Sequence, residues 1–462
     1  MKKTTRTISG ITPVALMTQP MGCPGKCVYC PTFSATPQSY TPDSPAVIRA
    51  RAYEYDAAKQ VESRLRTLSD MGHPTDKIEL IIMGGTFPAA SLEYQYSFIK
   101  EAFDALNGMN SASLTEAKQI NQNTLHRCTG LCIETRPDFC NQKEIDRMLE
   151  FGCTRVELGV QMLSDKVYQT VHRGHTVEDV AKATALLRQN AIKVHYHWMP
   201  GLPGSSPEED LKLSALIFED ERFRPDGIKI YPTMVVEGTE LEKWFKEGRY
   251  QPYDEATMMD LIAHIKALVP KYVRISRVLR DIPAKYIVGG LRDSMRDPMR
   301  KRMKEMGLQC RCIRCREYGF RVRDKQPVGE PQLTRMDYAA SGGKEVFLSY
   351  EDQYETLYGL IRLRIQDQPV VNLNPGVRES CGLIRELHVF GPEVALSQRQ
   401  DSAAQHRGFG RAMLKEAERL SREEFHKEYS AVLSGVGARE YYRAEGYELQ
   451  GDYMVKKLSS EN

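Results

Sequence analysis

Cys23-Pro24-Gly25-Lys26-Cys27-Val28-Tyr29-Cys30 sets three thiols on one short loop at the spacing C-x3-C-x2-C. Three thiolates so placed can hold three irons of a [4Fe–4S] cluster and leave the fourth iron free to chelate a substrate. A zinc knuckle or chance clustering are the structural alternatives. Zinc needs a fourth ligand close by, and no His or Cys follows until His73. Immediately before the loop, Pro13–Thr18 reads as a strand. Beyond it, β-rich runs recur at Ile78–Met83, Leu131–Thr135, Arg155–Val160, Lys193–Trp198 and Gly227–Tyr231. Helix-period segments separate them: Val47–Leu68, Gln142–Phe151, Val177–Gln189, Pro207–Phe218 and Tyr253–Leu268. This alternation predicts parallel βα units and an α/β fold, a partial TIM-like βα barrel over residues 1–281. Functional side chains then belong at the C-terminal ends of strands, where the cysteine loop falls.

The cysteine spacing, with an aromatic residue before the last cysteine, resembles the radical S-adenosylmethionine (SAM) superfamily signature. Met83-Gly84-Gly85-Thr86-Phe87 closes the next strand, and paired glycines there let backbone approach a ligand. In that superfamily this place contacts the amino group of SAM, so Gly84, Gly85 and Thr86 are expected to bind it. Glu134, ending the third strand, is a further candidate for SAM. Lys229 and Tyr231 are two residues apart on the sixth strand, so both can face the interior as candidate catalytic groups. A buried, mutually satisfied pair is the alternative.

Residues 282–332 read as a basic linker with little strand pattern. It carries Cys310-Arg311-Cys312-Ile313-Arg314-Cys315, whose thiols suit three ligands of a tetrahedral Zn2+ ion. Residues 333–462 read as a compact α+β domain. Its expected elements are strands Glu345–Tyr350, Gly359–Ile365 and Cys381–Phe390, helix Gly408–Phe425, strand Ala431–Gly435, helix Arg439–Glu445 and strand Tyr447–Lys456. Within it, Gln405-His406-Arg407-Gly408-Phe409-Gly410-Arg411 leads into an amphipathic helix. Such a loop presents free N–H groups to a pyrophosphate. Q-x-x-G-x-G resembles the GNAT acetyltransferase pattern, which binds acetyl-CoA there. The preceding strand, Glu386-Leu387-His388-Val389, belongs to the same pattern. Tyr441 and Tyr442 follow about 30 residues later. A tyrosine near the thioester sulfur can protonate a leaving thiolate.

Composition fits a globular chain: 462 residues, 41% hydrophobic and 27% charged, enough for more than one domain. No apolar run reaches the length of a membrane span or a signal peptide, so a cytoplasmic protein is expected. The 11 cysteines are then ligands or reduced thiols. Net charge is only +3, yet residues 271–325 hold 17 Lys/Arg against six Asp/Glu. That asymmetry points to a polyanion partner, with a solvated charged face as the alternative.

Together these pieces resemble the catalytic subunit of the Elongator complex and its stand-alone archaeal and bacterial relatives. The resemblance runs from about Pro13 to Lys457. It is carried also by Arg280-Asp281-Ile282-Pro283-Ala284, Ser434-Gly435-Val436-Gly437 and Tyr441-Tyr442-Arg443. It implies that a SAM-derived radical activates the methyl of acetyl-CoA, which is then joined to C5 of the tRNA wobble uridine. Hydrolysis of the thioester leaves a carboxymethyl group. It also implies that Lys77 contacts acetyl-CoA, that the basic segment holds the tRNA anticodon stem-loop, and that an electron donor reduces the cluster. A monomer or homodimer fits. The competing expectation is a protein lysine acetyltransferase with a merely structural iron–sulfur cluster.

Overall fold

Seven parallel strands form the first sheet of the computed structural model, which describes residues 7–291, 296–391 and 408–459. They are β1 (Thr12–Met17), β2 (Lys77–Met83), β3 (Arg127–Thr135), β4 (Arg155–Gln161), β5 (Lys193–Trp198), β6 (Gly227–Ile230) and β8 (Arg274–Val278). A two-stranded ribbon, β7 (Val235–Val236) with β9 (Ile287–Gly289), closes one side. The sheet runs in chain order and curls into a half-barrel. Along β2, Ile78, Leu80 and Ile82 are fully buried under the helices. Glu79, Ile81 and Met83 alternate with them and line the lumen.

Several features depart from the sequence reading. The helix expected over 47–68 is two helices, Pro45–Ala52 and Ala57–Asp70. Glu54 and Tyr55 take positive φ between them, and Asp56 caps the second by accepting from the Lys59 amide at 2.8 Å. The seventh strand, Arg274–Val278, lies inside the basic run, where charged residues hide its pattern. The expected linker is helical in part, over Arg296–Glu305, Ile313–Arg316 and Tyr318–Arg323. No described helix is long and apolar enough to cross a membrane.

The second sheet has β10 (Gln332–Ala340), β11 (Gly343–Glu351), β12 (Leu357–Gln366), β13 (Cys381–Val389), β14 (Tyr429–Val432), β15 (Glu448–Gln450) and β16 (Tyr453–Lys457). Its order is β10-β11-β12-β13-β14-β16-β15, antiparallel except for the β13–β14 pair. The amphipathic helix Phe409–Glu423 covers one face through Met413, Leu414, Ala417 and Leu420. The other face docks on the N-terminal ends of the barrel strands. A bulge opposite Arg362 and Leu363 turns the neighbours Arg385 and Glu386 both toward the barrel. Arg385 forks onto Asp226 (2.7 and 2.9 Å) and also bonds Glu345 (2.9 Å). Arg188 and Arg364 bond the other oxygen of Glu345, at 3.0 and 3.1 Å. Lys193 bonds Glu386 at 3.1 Å.

Candidate active site

One cavity of about 2010 Å³ runs from the cysteine loop through the barrel lumen to β13. Cys23, Cys27 and Cys30 line its upper end; Glu386, His388 and Phe390 line its lower end. The cysteine loop follows β1, as its place in the sequence required. Each of its sulfurs has a polar hydrogen pointed at it. Gly25 N–H donates to Cys23 Sγ (3.4 Å), Arg173 Nη1 to Cys27 Sγ (3.4 Å) and Gln38 Nε2 to Cys30 Sγ (3.3 Å). Thr86 Oγ1 lies 3.8 Å from Cys23 Sγ, which brings the end of β2 to the loop. Gly84 and Gly85 have φ of 132° and 103°, values open to glycine, and a Cβ on Gly84 would overlap Thr18. These donors suit thiolates carrying metal. The three sulfurs are not among the described groups that converge within 4.8 Å, as ligands of one ion do. They suit a multi-iron cluster better than a single zinc.

Below the loop, the lumen holds a polar network that the sequence reading had only in part. Tyr40 donates to Glu134 (3.0 Å). Lys229 bonds Glu157 and lies 3.7 Å from Glu134. His197 Nε2 meets Glu157 at 3.0 Å. Burial opposes ionisation of Glu157, but the Lys229 ammonium and the His197 bond hold its carboxyl well below the usual range. Glu134, Glu157 and His197 place ligand atoms within 4.8 Å of one another, and the Lys229 ammonium bonds this group as its cation. Burial opposes the charge on Lys229 too, yet the Glu157 carboxylate beside it raises its pKa. Tyr231 lines the same cavity with its ring 5.3 Å from that of His197. Tyr40, Glu157 and His197 carry no motif; only the curvature of the sheet brings them to Lys229.

At the other end, β13 pairs with β14 from Cys381 and Tyr429 only as far as Ile384 and Val432. Beyond that point the two parallel strands separate. Leu387 and Val389 turn to the helix side and pack in its core. Glu386 and His388 turn to the barrel and line the cavity. Glu386 accepts from Lys193 and from Arg362 (2.7 Å), and His388 bonds the Ser9 carbonyl (2.7 Å). Gly408, with φ of 77°, opens the helix that Phe409, Gly410 and Arg411 begin. Phe409 stacks near Tyr350 and Arg411 bonds Glu445 at 2.7 Å. Gln405, His406 and Arg407 lie outside the described residues. The tyrosine pair divides. Tyr441 is 40% exposed, and its hydroxyl would stand 3.2 Å from a Cβ on Gly410, over the start of the helix. Tyr442 is buried in the core against Tyr447. Lys77 begins β2 at the domain junction, paired with Arg127, against which Gly437 packs.

Cys310, Cys312 and Cys315 place their sulfurs within 4.8 Å of one another. Hydrogen bonds from Cys310 and Cys315 push the Cys312 thiol well down. The Ile313 amide, bonded to the Val273 carbonyl at 2.9 Å, ties this loop to the barrel.

The profile of the radical SAM superfamily matches residues 20–216, and that of the radical SAM C-terminal domain matches 225–305. A tRNA uridine(34) acetyltransferase of Dehalococcoides mccartyi is 64% identical, over 99% of this chain and 100% of its own. Elongator complex protein 3 of Homo sapiens is 43% identical, over 99% of this chain and 86% of its own. The structure of the archaeal Methanocaldococcus infernus Elp3 with an N-terminal deletion superposes with a TM-score of 0.86 at 45% identity. It covers 98% of this chain and 100% of that one.

Proposed function

The chain belongs to the radical SAM superfamily and, within it, to the family of tRNA uridine(34) acetyltransferases and Elongator complex protein 3, and on that premise we propose an acyltransferase acting on tRNA. It joins the methyl carbon of an acetyl group to C5 of the wobble uridine, with acetyl-CoA as donor. The continuous cavity between the cysteine loop and β13 carries this reading, because it opens both ends of the reaction to one space. Cys23, Cys27 and Cys30 would hold a [4Fe–4S] cluster, which together with SAM would supply the radical chemistry that activates the acetyl methyl.

The chain's own residues do the positioning. Gly84 and Gly85 offer close backbone approach, and Tyr40 fixes the Glu134 carboxylate beside it. Lys229, held by Glu157 and 3.7 Å from Glu134, offers an ammonium N–H to a carbonyl oxygen in the lumen. The separated strands β13 and β14 receive the pantetheine arm. The amides of Gly408 and Gly410 at the start of the helix take the pyrophosphate, and Tyr441 stands over them to protonate the departing thiolate. Arg277, Arg280, Lys304 and Arg314 line the cavity for tRNA phosphates of the anticodon loop. Arg302 makes a two-pronged bond to Asp260 (2.6 and 2.8 Å), so the contacts offered to tRNA are Lys304 and Lys301, the latter 3.8 Å from Glu305.

The test is an anaerobic incubation of reconstituted enzyme with SAM, acetyl-CoA, a low-potential reductant and tRNA. Nucleoside mass spectrometry should find carboxymethyluridine, and thioester hydrolysis should rise when tRNA is added. Equal hydrolysis with and without tRNA, or faster transfer to a lysine peptide, would overturn the reading. Replacing Lys301 and Lys304 with alanine should weaken tRNA binding and reduce its salt slope by about 2, leaving acetyl-CoA affinity unchanged.

The second cysteine group takes one zinc. Metal analysis should find about one zinc per chain, lost when Cys310, Cys312 and Cys315 are all replaced. That loss should lower stability more than it alters turnover. Zinc content unaffected by the triple replacement would refute the assignment.

A further inference from the structure

Two arginines lie buried beneath the cysteine loop, and neither belongs to a recognised motif. Arg173 is 6% exposed and Arg136 is 4% exposed. Arg173 sends Nη1 to Cys27 Sγ at 3.4 Å and Nη2 to the Gly159 carbonyl. Among the described residues it is the charged donor to the three sulfurs; the other donors are a backbone amide and a carboxamide, with the Thr86 hydroxyl beside Cys23. Arg136 is held from behind by a fork onto Asp138 (2.9 and 2.8 Å) and by the Arg173 carbonyl (2.9 Å). Its third nitrogen, Nη1, is buried and has no hydrogen-bond partner among the described residues. That nitrogen points at the loop: a Cβ on Gly25 would overlap it, and the same Cβ would lie 3.6 Å from Cys27 Sγ. Room for Arg173 is made in the same way, since a Cβ on Gly159 would stand 2.6 Å from its Nη2.

A buried guanidinium hydrogen with no acceptor is costly. Here it is aimed at the place where three thiolates would carry a negatively charged cluster. We infer that Arg136 and Arg173 form a cationic seat for the iron–sulfur cluster. They act as positioning residues that raise its reduction potential through Cys27 and the adjoining loop. The inference rests on the cluster reading above. Adding one electron to an already anionic cluster is opposed by its own charge. Two cations fixed in a site shielded from water offset that opposition more than solvated ones would. N–H···S bonds from Arg173 withdraw charge from the ligating sulfur and act in the same direction. The consequence for function is that a milder one-electron donor suffices to reduce the cluster.

The experiment uses the full chain, reconstituted anaerobically with iron and sulfide, as wild type, Arg173→Gln, Arg173→Lys and Arg136→Gln. Three quantities are measured: iron and sulfide per chain, the thermal midpoint, and the cluster midpoint potential by a redox titration followed by electron paramagnetic resonance. Arg173→Gln is expected to shift the ratio of reduced to oxidised cluster at least about tenfold toward oxidised at fixed potential. For one electron that is about 59 mV more negative. Arg173→Lys, which keeps the charge but loses the fork, should shift less. Arg136→Gln should shift in the same direction. A purely structural role would lower the thermal midpoint and leave the potential alone. If Arg173→Gln fails to hold iron, Arg136→Gln, which removes no bond to a cysteine, decides by the same criterion. Wild-type potential in a loaded Arg173→Gln or Arg136→Gln protein overturns the inference. A wild type that binds no iron overturns the cluster reading and the inference with it.

Discussion

Replacing any one of Cys23, Cys27 and Cys30 with serine is expected to abolish stable iron binding and, with it, all SAM cleavage. The three sulfurs come from one loop whose remaining donors, Gly25 N–H, Arg173 and Gln38, satisfy sulfur but cannot replace it as a ligand. A missing thiolate leaves an iron uncoordinated, and a serine hydroxyl is a poor substitute for a soft sulfur. Acetyl-CoA binding should survive, because its proposed elements belong to the second sheet and its covering helix. The checks are iron content, the visible absorption of the reconstituted protein and 5′-deoxyadenosine formation. SAM cleavage retained by the triple serine variant would sink the assignment.

Arg385→Ala is expected to cost about 3–5 kcal/mol of stability, the usual price of stranding buried charge. The guanidinium holds both oxygens of Asp226 and one of Glu345 across the junction between the barrel and the second sheet. Side-chain exposure of all three is 1% or less. Burial pushes the Asp226 carboxyl up, yet Arg385, Arg188 and Arg362 together hold it well below its ordinary value. Removing Arg385 leaves Asp226 without its two-pronged partner and Glu345 with two of its three arginines. Arg385→Ala combined with Asp226→Asn should recover part of the loss, with a coupling of about 0.5–3 kcal/mol. Urea denaturation followed by circular dichroism measures both. A loss below about 1 kcal/mol for Arg385→Ala would mean that the junction carries no weight in holding the domains together.

The division of labour between sequence and tertiary structure follows the range of the interactions. Local chemistry was legible. Three cysteines within eight residues, a Gly-Gly closing a strand and a glycine opening a helix each depend on neighbours in the chain. The structure places the cysteine loop after β1 and Thr86 beside Cys23, as their order along βα units requires. Periodicity also placed most strands, because the faces turned to the helices are uniformly apolar. It failed where polar residues line a cavity or an edge: β8 is Arg-Ile-Ser-Arg-Val, and β10 is largely exposed. It also missed the break at Glu54–Tyr55, which lies in backbone geometry and not in hydrophobic pattern.

What only the fold decided is which distant charges meet. His197 and Lys229 reach Glu157 from 40 and 72 residues away. Arg173 reaches Cys27 from 146 away, and Arg385 reaches Asp226 from 159. No spacing rule connects such pairs, since sheet curvature and domain docking set their separation. The two tyrosines make the same point at close range. Adjacent residues on a helix point about 100° apart, so the sequence could offer both Tyr441 and Tyr442. Packing against Tyr447 buried Tyr442 and left Tyr441 exposed over the start of the helix.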